Sequence, residues 1–244
     1  MTQMNCSDFQ HHFTYEGKEG PMHWADYCPD CGGREQSPIN IVTSGASEHG
    51  NPVSVNYGTR PPIVDIENNG HTIKVPYTVG SLTYHGVTYY SEQYHFHAPS
   101  EHTLDGQYAA IEMHVVHKSK AGEVAVLGFM IEPAEKGWPA VNELFEQFKH
   151  VPNKGDTYHG VGAYVSSLFP TYNEWYLYDG SFTTPPCTQG VKWFVLSKPS
   201  EISRTLYNEI KQIMFNNNRP LQPLHGRTVS LTKRGTVNGT ASFL

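Results

Sequence analysis

The sequence predicts one domain that is mainly β with a few short helices. Turn signals recur at short intervals, among them Asn68-Asn69-Gly70, Asp105-Gly106 and Asp179-Gly180. Short runs rich in β-branched and aromatic residues lie between the turns, and this spacing is typical of β-dominated domains. No repeat, low-complexity linker or shift in composition divides the 244 residues. A single domain follows, because β-rich domains of this length often stand alone.

The predicted strands, in chain order, cover residues 63–66, 72–75, 89–97, 108–118, 124–131 and 191–196. Helical patterns are fewer and cover residues 139–148, 160–168 and 200–215. In the first of these, apolar residues recur at helical spacing, namely Val141, Leu144, Phe145 and Phe148. For the third, Ser200 is a suitable N-cap.

Composition excludes several classes of protein. Apolar residues make up 38% and aromatic residues 12%, with a net charge of only −6, whereas disordered chains combine low hydrophobicity with high net charge. The best apolar run, residues 124–131, is far shorter than the roughly 18 residues of a membrane-spanning helix. The negative net charge argues against a nucleic-acid partner, because such proteins usually carry a basic surface.

Histidines cluster in one part of the sequence, and their spacing predicts a metal site. His95 and His97 lie at i and i+2 of a predicted strand, so both face one side of the sheet. His114 lies on the next predicted strand, and the Asp105-Gly106 turn predicts a hairpin that makes the two strands antiparallel neighbours. Three histidines with a fourth position open form a ligand set of catalytic zinc.

The residues around the three histidines strengthen this interpretation. Gln93 and Glu112 share the strand parity of the candidate ligands and can accept hydrogen bonds from their N–H groups, as metal-bound imidazoles require. A carboxylate buried there without partners would be costly. His117 has the opposite parity from His114 and is expected on the other face, in a structural role. His102 is expected to be structural as well.

A second metal interpretation stays open at this stage. The pattern His95-x-His97-x-x-x-Glu101 resembles the first motif of cupins, in which glutamate is also a ligand and the metal is often iron or manganese. The sequence offers no clear second cupin motif.

The four cysteines also leave alternatives open. Cys28-x-x-Cys31 is compatible with a redox motif or half of a zinc site, and four cysteines allow three pairings if all are oxidised. Oxidation would indicate a periplasmic or extracellular protein. The N-terminus lacks a signal-peptide pattern, so either a signal peptide has been removed or the protein is cytosolic.

A set of motifs then carries a family resemblance. The motifs occupy residues 20–24, 36–41, 68–71, 93–97, 100–103, 112–117, 181–187 and 218–223. In this order and spacing they resemble the α-class carbonic anhydrases of bacterial or extracellular type, from about residue 13 onward. The resemblance implies an N-terminal extension over residues 1–12 and one domain over residues 13–244. In that domain a central twisted, largely antiparallel sheet holds zinc at the bottom of a conical cleft.

The resemblance also implies a reaction, the reversible hydration of carbon dioxide to bicarbonate by zinc-bound hydroxide. One Zn²⁺ would be held by His95, His97 and His114. Thr183 would orient the hydroxide and donate to Glu101, whose ionised carboxylate can only accept. We further expect carbon dioxide and bicarbonate as the small-molecule substrate, a side activity on esters, and a monomer or homodimer.

Proton transfer, substrate binding and cross-linking follow from the same resemblance. His71 matches the proton shuttle. The apolar wall and pocket border correspond to Val116, Val126, Phe182, Thr184, Val191 and Trp193. The water network corresponds to Tyr15 and Asn69. The implied disulfides are Cys31–Cys187 and Cys6–Cys28, which would fit a secreted or periplasmic protein.

Two positions depart from the family pattern. Phe13 stands where many relatives have tryptophan, and Lys74 where asparagine or glutamine is usual. Lys74 therefore puts the rate of proton transfer in doubt. Some members of the family have lost ligand histidines and serve as binding proteins, but here all three ligands, Glu101 and Thr183 are present. The sequence thus favours an enzyme over a binding protein.

Overall fold

The structure is a computed structural model that describes residues 4–49, 52–58, 61–169, 174–214, 216–232 and 237–238. Residues 1–3 of the predicted extension and Phe215, the end of the third predicted helix, lie outside these ranges. Within them, no helix combines the length and the apolar character needed to cross a membrane.

Strands dominate the fold. The short strands at the start of the chain are β1 (Asn40–Ile41), β2 (Ser47–His49), β3 (Ser54–Asn56), β4 (Ile63–Asn68), β5 (Ile73–Pro76) and β6 (Ser81–Tyr84). The middle of the chain contributes β7 (Val87–His97), β8 (Thr103–Leu104), β9 (Gln107–Tyr108), β10 (Ile111–Ser119), β11 (Val124–Ala134) and β12 (Thr157–Val161). The last strands are β13 (Trp175–Ser181), β14 (Gln189–Leu196), β15 (Ser200–Ser203), β16 (Ser230–Thr232) and β17 (Val237–Asn238).

Fourteen strands form one sheet, whose main path runs β12-β4-β5-β7-β10-β11-β14-β13-β16-β2. Most neighbours are antiparallel, but β11 pairs in parallel with both β14 and β15, and β16–β2 and β17–β3 are parallel too. The prediction of a single, mainly β domain with a largely antiparallel sheet is confirmed, with the addition that the sheet is mixed.

The helices are short, as predicted. The α-helices are α1 (Cys6–Phe9), α2 (Trp24–Tyr27), α3 (Pro139–Glu146) and α4 (Arg204–Ile210). Single 3₁₀ turns cover Gly17–Glu19, Pro29–Gly32, Thr43–Gly45, Gln147–His150 and Val165–Leu168. The helix predicted at 139–148 is confirmed, since α3 and the 3₁₀ turn after it fill that range.

Two other helical predictions are wrong in part. Residues 157–161 pair with β4 as strand β12, so only Val165–Leu168 is helical in the segment predicted as 160–168. Ser200 begins strand β15, which pairs with β11, and the N-cap of α4 is Ser203, whose side chain accepts from the Leu206 N–H. In both places the local sequence pattern predicts a helix. The backbone groups instead form hydrogen bonds with a neighbouring strand, because tertiary context overrides helix propensity.

The Asp105-Gly106 turn also has a different role from the one predicted. It joins β8 to β9 in a separate three-stranded sheet with β1. Strands β7 and β10 are nevertheless antiparallel neighbours, with His95 directly opposite His114. The predicted approach of the three histidines thus holds, although this turn does not join their strands directly.

Alternation along β10 separates two apolar clusters. Met113 and Val115 belong to the larger cluster, which the helices α3 and α4 cover. Val116 belongs to the smaller cluster on the other face, with Val126 and Trp193. His114 shares the face of Val116, because side chains two apart in a strand point the same way. The three histidines therefore open onto the face that the helices leave uncovered.

All four cysteines are paired. Cys6 is bonded to Cys28 and Cys31 to Cys187, and no free cysteine is present in the described chain. These are the two pairs that the resemblance implied. They lie in one buried cluster with aromatic residues of the N-terminal segment, among them Phe13 and Trp24. The redox and half-zinc interpretations of Cys28-x-x-Cys31 are thereby wrong.

Candidate active site

Three histidines converge on one point of the uncovered sheet face. His95 and His97 project from β7 and His114 from β10, and the candidate ligand atoms all lie within 4.8 Å of one another. The ring centroids are separated by 4.6 to 5.2 Å. His97 and His114 are almost completely buried.

Each of the three imidazoles forms a hydrogen bond with one ring nitrogen. The other ring nitrogen faces the point at which the three rings converge. The hydrogen bonds join His95 Nδ1 to Gln93 Oε1 at 2.9 Å, His97 Nδ1 to the Asn217 carbonyl oxygen at 2.7 Å, and His114 Nε2 to Glu112 Oε1 at 2.9 Å. Carbonyl and carboxylate oxygens only accept, so the bonded nitrogens carry the hydrogens. The other nitrogens then present lone pairs, and His97 Nε2 is buried without any partner.

The three imidazoles are held in the neutral form. Burial lowers the pKa of His97 to about 4, and burial also lowers the pKa of His95 and of His114. Metal binding requires unprotonated nitrogen. Three convergent lone pairs on neutral rings, one of them buried without a partner, fit the donor set of a zinc ion.

Glu112 connects this site to a buried hydrogen-bond network. Its Oε1 accepts from His114 and from His102 Nδ1 at 2.7 Å, and its Oε2 accepts the N–H groups of Glu101 and His102, both at 2.8 Å. Burial opposes ionisation, but the two histidines and these hydrogen bonds outweigh it and hold the pKa of Glu112 well below its ordinary value. Tyr178 holds His102 from the other side at 2.6 Å.

Gly128 leaves the space that this network needs. It lies opposite His114 in the β10–β11 pair, and a Cβ at this position would lie 2.9 Å from Glu112 Oε1. Any larger residue would press on the carboxylate that orients His114.

Glu101 lies beside the histidines with one oxygen unpartnered. Its Oε1 accepts the Arg219 N–H at 2.8 Å, while Oε2 is buried without a hydrogen bond and lies 4.0 Å from His114 Nδ1. Burial raises the pKa of Glu101 to about 7, although His114, the Arg219 N–H and Thr183 each favour the ionised form. Thr183 therefore lies near the Glu101 carboxylate. Within the described part of the chain, however, no hydrogen bond of ordinary geometry connects the two side chains.

The loop that carries Thr183 is anchored from several sides. Cys187 is bonded to Cys31, and its carbonyl oxygen accepts from the Gln36 amide at 3.2 Å. The Arg219 guanidinium, itself buried, donates to Gln36 Oε1 at 2.8 Å and to the carbonyl oxygen of Cys31 at 2.9 Å. Arg219 therefore contacts both Glu101, through its N–H group, and the residues that anchor the Thr183 loop, through its guanidinium.

An apolar cavity of about 240 Å³ opens beside the three histidines. Its lining includes five of the six residues predicted for the substrate pocket: Val116, Val126, Phe182, Thr184 and Trp193. Val191 is not among them. It is buried in the same apolar cluster as Val116 and Trp193, so its contribution is to the packing of the wall.

A second, wider cavity of about 510 Å³ continues from the histidines toward solvent. His71, Tyr15, Asn69 and Lys74 all line it. Asn69 Oδ1 accepts from the N–H groups of His71 and Thr72, both at 2.9 Å, and so fixes the loop that carries His71. The His71 ring stacks on Phe13 with centroids 4.3 Å apart. Burial and then the charge of Lys154 lower the pKa of His71.

The remaining sequence predictions for histidines agree with the geometry. His117 lies on the opposite face from His114 and is hydrogen-bonded through Nε2 to Tyr57 Oη at 2.7 Å. His102 is bonded to Glu112 and Tyr178, as described above. The sequence reasoning missed Asn217 and Arg219, which orient His97 and Glu101 through main-chain atoms. No side-chain pattern marks such contacts.

Comparisons with known proteins agree with this geometry. The sequence profile of the family described as eukaryotic-type carbonic anhydrase matches residues 19–233. A carbonic anhydrase of Klebsiella pneumoniae is 35% identical, over 94% of this chain and 94% of its own. The α-carbonic anhydrase of Thermovibrio ammonificans superposes with a TM-score of 0.82 at 38% identity, covering 91% of this chain and 99% of its own. The α-carbonic anhydrase of Photobacterium profundum superposes with a TM-score of 0.81 at 35% identity, covering 89% of this chain and 99% of its own. The chain therefore belongs to the eukaryotic-type, or α-class, carbonic anhydrase family and is an enzyme, a lyase that acts on carbon dioxide.

Proposed function

We propose that this chain hydrates carbon dioxide reversibly with one zinc ion held by His95 Nε2, His97 Nε2 and His114 Nδ1. The observation that carries the proposal is the convergence of three unprotonated nitrogens, of which His97 Nε2 is buried without a partner. When bound, zinc lowers the pKa of a water ligand to about 7 and so supplies a nucleophile at neutral pH, a value established on carbonic anhydrase itself.

The acceptors behind the three ligands have a clear task in this proposal. Gln93, Glu112 and the Asn217 carbonyl fix which nitrogen of each ring is unprotonated, and they hold the ring planes in place. Such acceptors also make the imidazoles better electron donors. The ionised Glu112 has the strongest effect because it bears a full charge.

Thr183 and Glu101 orient the reacting oxygen. Above its raised pKa of about 7, Glu101 is ionised and can only accept hydrogen bonds, so its buried Oε2 then needs a donor. The nearby Thr183 favours the ionised form of this carboxyl, and we assign its hydroxyl as that donor. The Thr183 oxygen then has only lone pairs to offer, so it accepts from a protonated oxygen and rejects an unprotonated one.

The apolar wall binds the substrate weakly. Val116, Val126, Phe182 and Trp193 line the cavity beside the ligands, and an uncharged, apolar molecule is favoured there over water. Bicarbonate is charged and finds no partner on this wall, so it leaves readily.

His71 carries the proton to solvent in this scheme. Its imidazole lines the wider cavity together with the ligands His95 and His97, and imidazoles ordinarily gain and lose a proton near neutral pH. Burial and the charge of Lys154 lower the pKa of His71, which favours release of the proton over its uptake. Tyr15 and Asn69 line the same path and are assigned to the polar side that supports water. The stacking on Phe13 keeps the ring in the cleft.

Replacing His71 with alanine is expected to lower the turnover number for hydration by about tenfold or more in dilute buffer. The second-order rate constant should stay near its original value, because proton release follows the chemical step. Stopped-flow indicator assays measure both constants. Added imidazole should restore turnover in H71A, and the matched variant H159A, at an exposed histidine of β12, should leave it unchanged. Unaltered turnover in dilute buffer would remove His71 from the mechanism.

Zinc content and carbon dioxide hydration together test the proposed function. We expect one zinc per chain and hydration far above the rate in buffer alone. One zinc without hydration would contradict the enzyme and favour a binding role, as in family members that lost activity. An ester such as 4-nitrophenyl acetate tests the side activity.

The proposed compartment is the periplasm or the extracellular space. Two disulfides that use every cysteine support it, because disulfides persist in oxidising compartments and are rare in the cytosol. Fractionation of the source cells with detection of the chain in each fraction tests this assignment.

A further inference from the structure

The mouth of the cleft is cationic in a protein that is acidic as a whole. Among the described residues, the lining of the wider cavity includes Lys74, Lys154 and no aspartate or glutamate, and two of its four histidines are the neutral candidate ligands His95 and His97. The whole chain has a net charge of −6. The positive charge is therefore concentrated where the cleft meets solvent.

Lys154 reaches this position from a turn that is tied to the main sheet. The Gly155 N–H donates to the Asn68 carbonyl at 2.7 Å, and the Asn68 N–H donates to the Asp156 carbonyl at 3.0 Å. The methylene groups of Lys154 lie over Gly70, where a Cβ would come within 2.5 Å of them. Lys154 is one of the residues that line the wider cavity, and its charge lowers the pKa of His71.

Lys74 enters the cavity from strand β5. It lies directly opposite His95 in the β5–β7 pair, so it faces the same side of the sheet as the ligands. The two lysines thus reach the cavity from separate elements, a strand and a turn.

The nearby acids form no close ion pair with these lysines in the described part of the chain. Glu67 is opposite Lys74 in the β4–β5 pair, yet among the described residues no ion pair within 4.0 Å involves Lys74 or Lys154. Asp156, in the turn of Lys154, accepts hydrogen bonds from Asn153 at 2.8 and 3.2 Å. Both ammonium groups therefore remain available to an anion.

We propose that Lys74 and Lys154 form an anion-binding vestibule that takes up bicarbonate at the mouth of the cleft, ahead of the three histidines. This inference rests on the proposed function, in which bicarbonate is one of the two carbon substrates. An acidic protein repels bicarbonate at long range, and a local cationic patch in a cleft reverses that repulsion. Carbon dioxide is uncharged and passes the vestibule without interaction.

Binding of bicarbonate to the full chain tests the vestibule directly. The probe is sodium bicarbonate, titrated at constant ionic strength, with sodium chloride as the reference. NMR signals of the lysine side chains report binding locally, and the titration is run on the protein as purified and after chelation of zinc. We expect saturable shifts at Lys74 and Lys154. Shifts that are absent, or as linear as those with chloride, would overturn the proposal.

Variants separate these two lysines from general surface charge. Two unit charges about 8 Å from the anion in water account for roughly a fivefold change in affinity, so K74Q/K154Q is expected to bind bicarbonate about fivefold more weakly. K120Q, at an exposed lysine outside the cavity, is the matched control, and E67Q is expected to bind about twofold more tightly. Equal weakening in K120Q and in the double variant would contradict the proposal.

Kinetics add a second readout with a defined sign. The second-order rate constant for dehydration below neutral pH should fall about fivefold in K74Q/K154Q and should fall in the original chain as salt screens the charges. The second-order rate constant for hydration at the same pH should fall by the same factor, because the equilibrium constant of the reaction fixes the ratio of the two constants, and K120Q should leave both unchanged. If hydration itself is absent, the proposed function fails, while bicarbonate binding in the zinc-free protein still decides the vestibule.

Discussion

Replacing His95 with alanine is expected to lower zinc content from one per chain to nearly none, and to lower hydration by more than about 10³-fold. Two ligands remain in H95A, and the nucleophile that the metal supplies is lost with the metal. His95 is the best choice among the three ligands, because it is less buried than His97 and His114 and its hydrogen bond goes to an uncharged amide. Metal analysis after dialysis and stopped-flow hydration measure the two effects.

The same variant distinguishes two arrangements of potential ligands. His102, Glu112 and His114 also lie within ligand distance of one another, and a metal held by that group would survive in H95A. We expect it not to survive, because the hydrogen bonds to Glu112 already use the facing atoms of that group. H159A should keep both zinc and activity. Q93A should keep the site but weaken zinc binding by about 10- to 100-fold, as loss of a ligand's hydrogen-bond partner usually does.

Strand parity explains why this site was predictable. Two histidines at i and i+2, and a third on a neighbouring strand, fix a shared face without knowledge of the rest of the fold. Gln93 and Glu112 follow the same parity, and both accept from the predicted ligands. His117 shows the converse, since its odd offset from His114 places it on the other face, against Tyr57.

Contacts made by the main chain of distant segments were not predictable in this way. Asn217 holds His97 across 120 positions of sequence through its carbonyl oxygen, which every residue type has. Arg219 holds Glu101 through its N–H group. The motif around residue 219 indicated membership of a family, but only the folded chain relates that segment to the ligands.

Secondary structure at the edges of the sheet was also not predictable from local sequence. The segment that begins at Ser200 carries a helical pattern, yet its first four residues pair with β11. Hydrogen-bonding groups on a neighbouring strand decide the outcome there, and propensity alone is a weak guide. The Asp105-Gly106 turn is a similar case, because its chemistry predicts a hairpin but not which strands it joins.

Replacing Thr183 with alanine is expected to lower the second-order rate constant for hydration by about 10²-fold, because a misplaced reacting oxygen has a cost of this order. Zinc content should not change, since Thr183 is no ligand, and this separates the variant from H95A. T183S keeps the hydroxyl and should recover most of the rate, whereas T183V, which matches threonine in shape, should not.

The pKa of Glu101 gives a second measurement. In T183A the buried Oε2 of Glu101 lacks its proposed donor, so the pKa of Glu101 should rise, which infrared or NMR titration of the carboxyl can follow. A rate in T183V equal to that in the original chain would show that the hydroxyl orients nothing, and Glu101 would then be a structural acid held by Arg219.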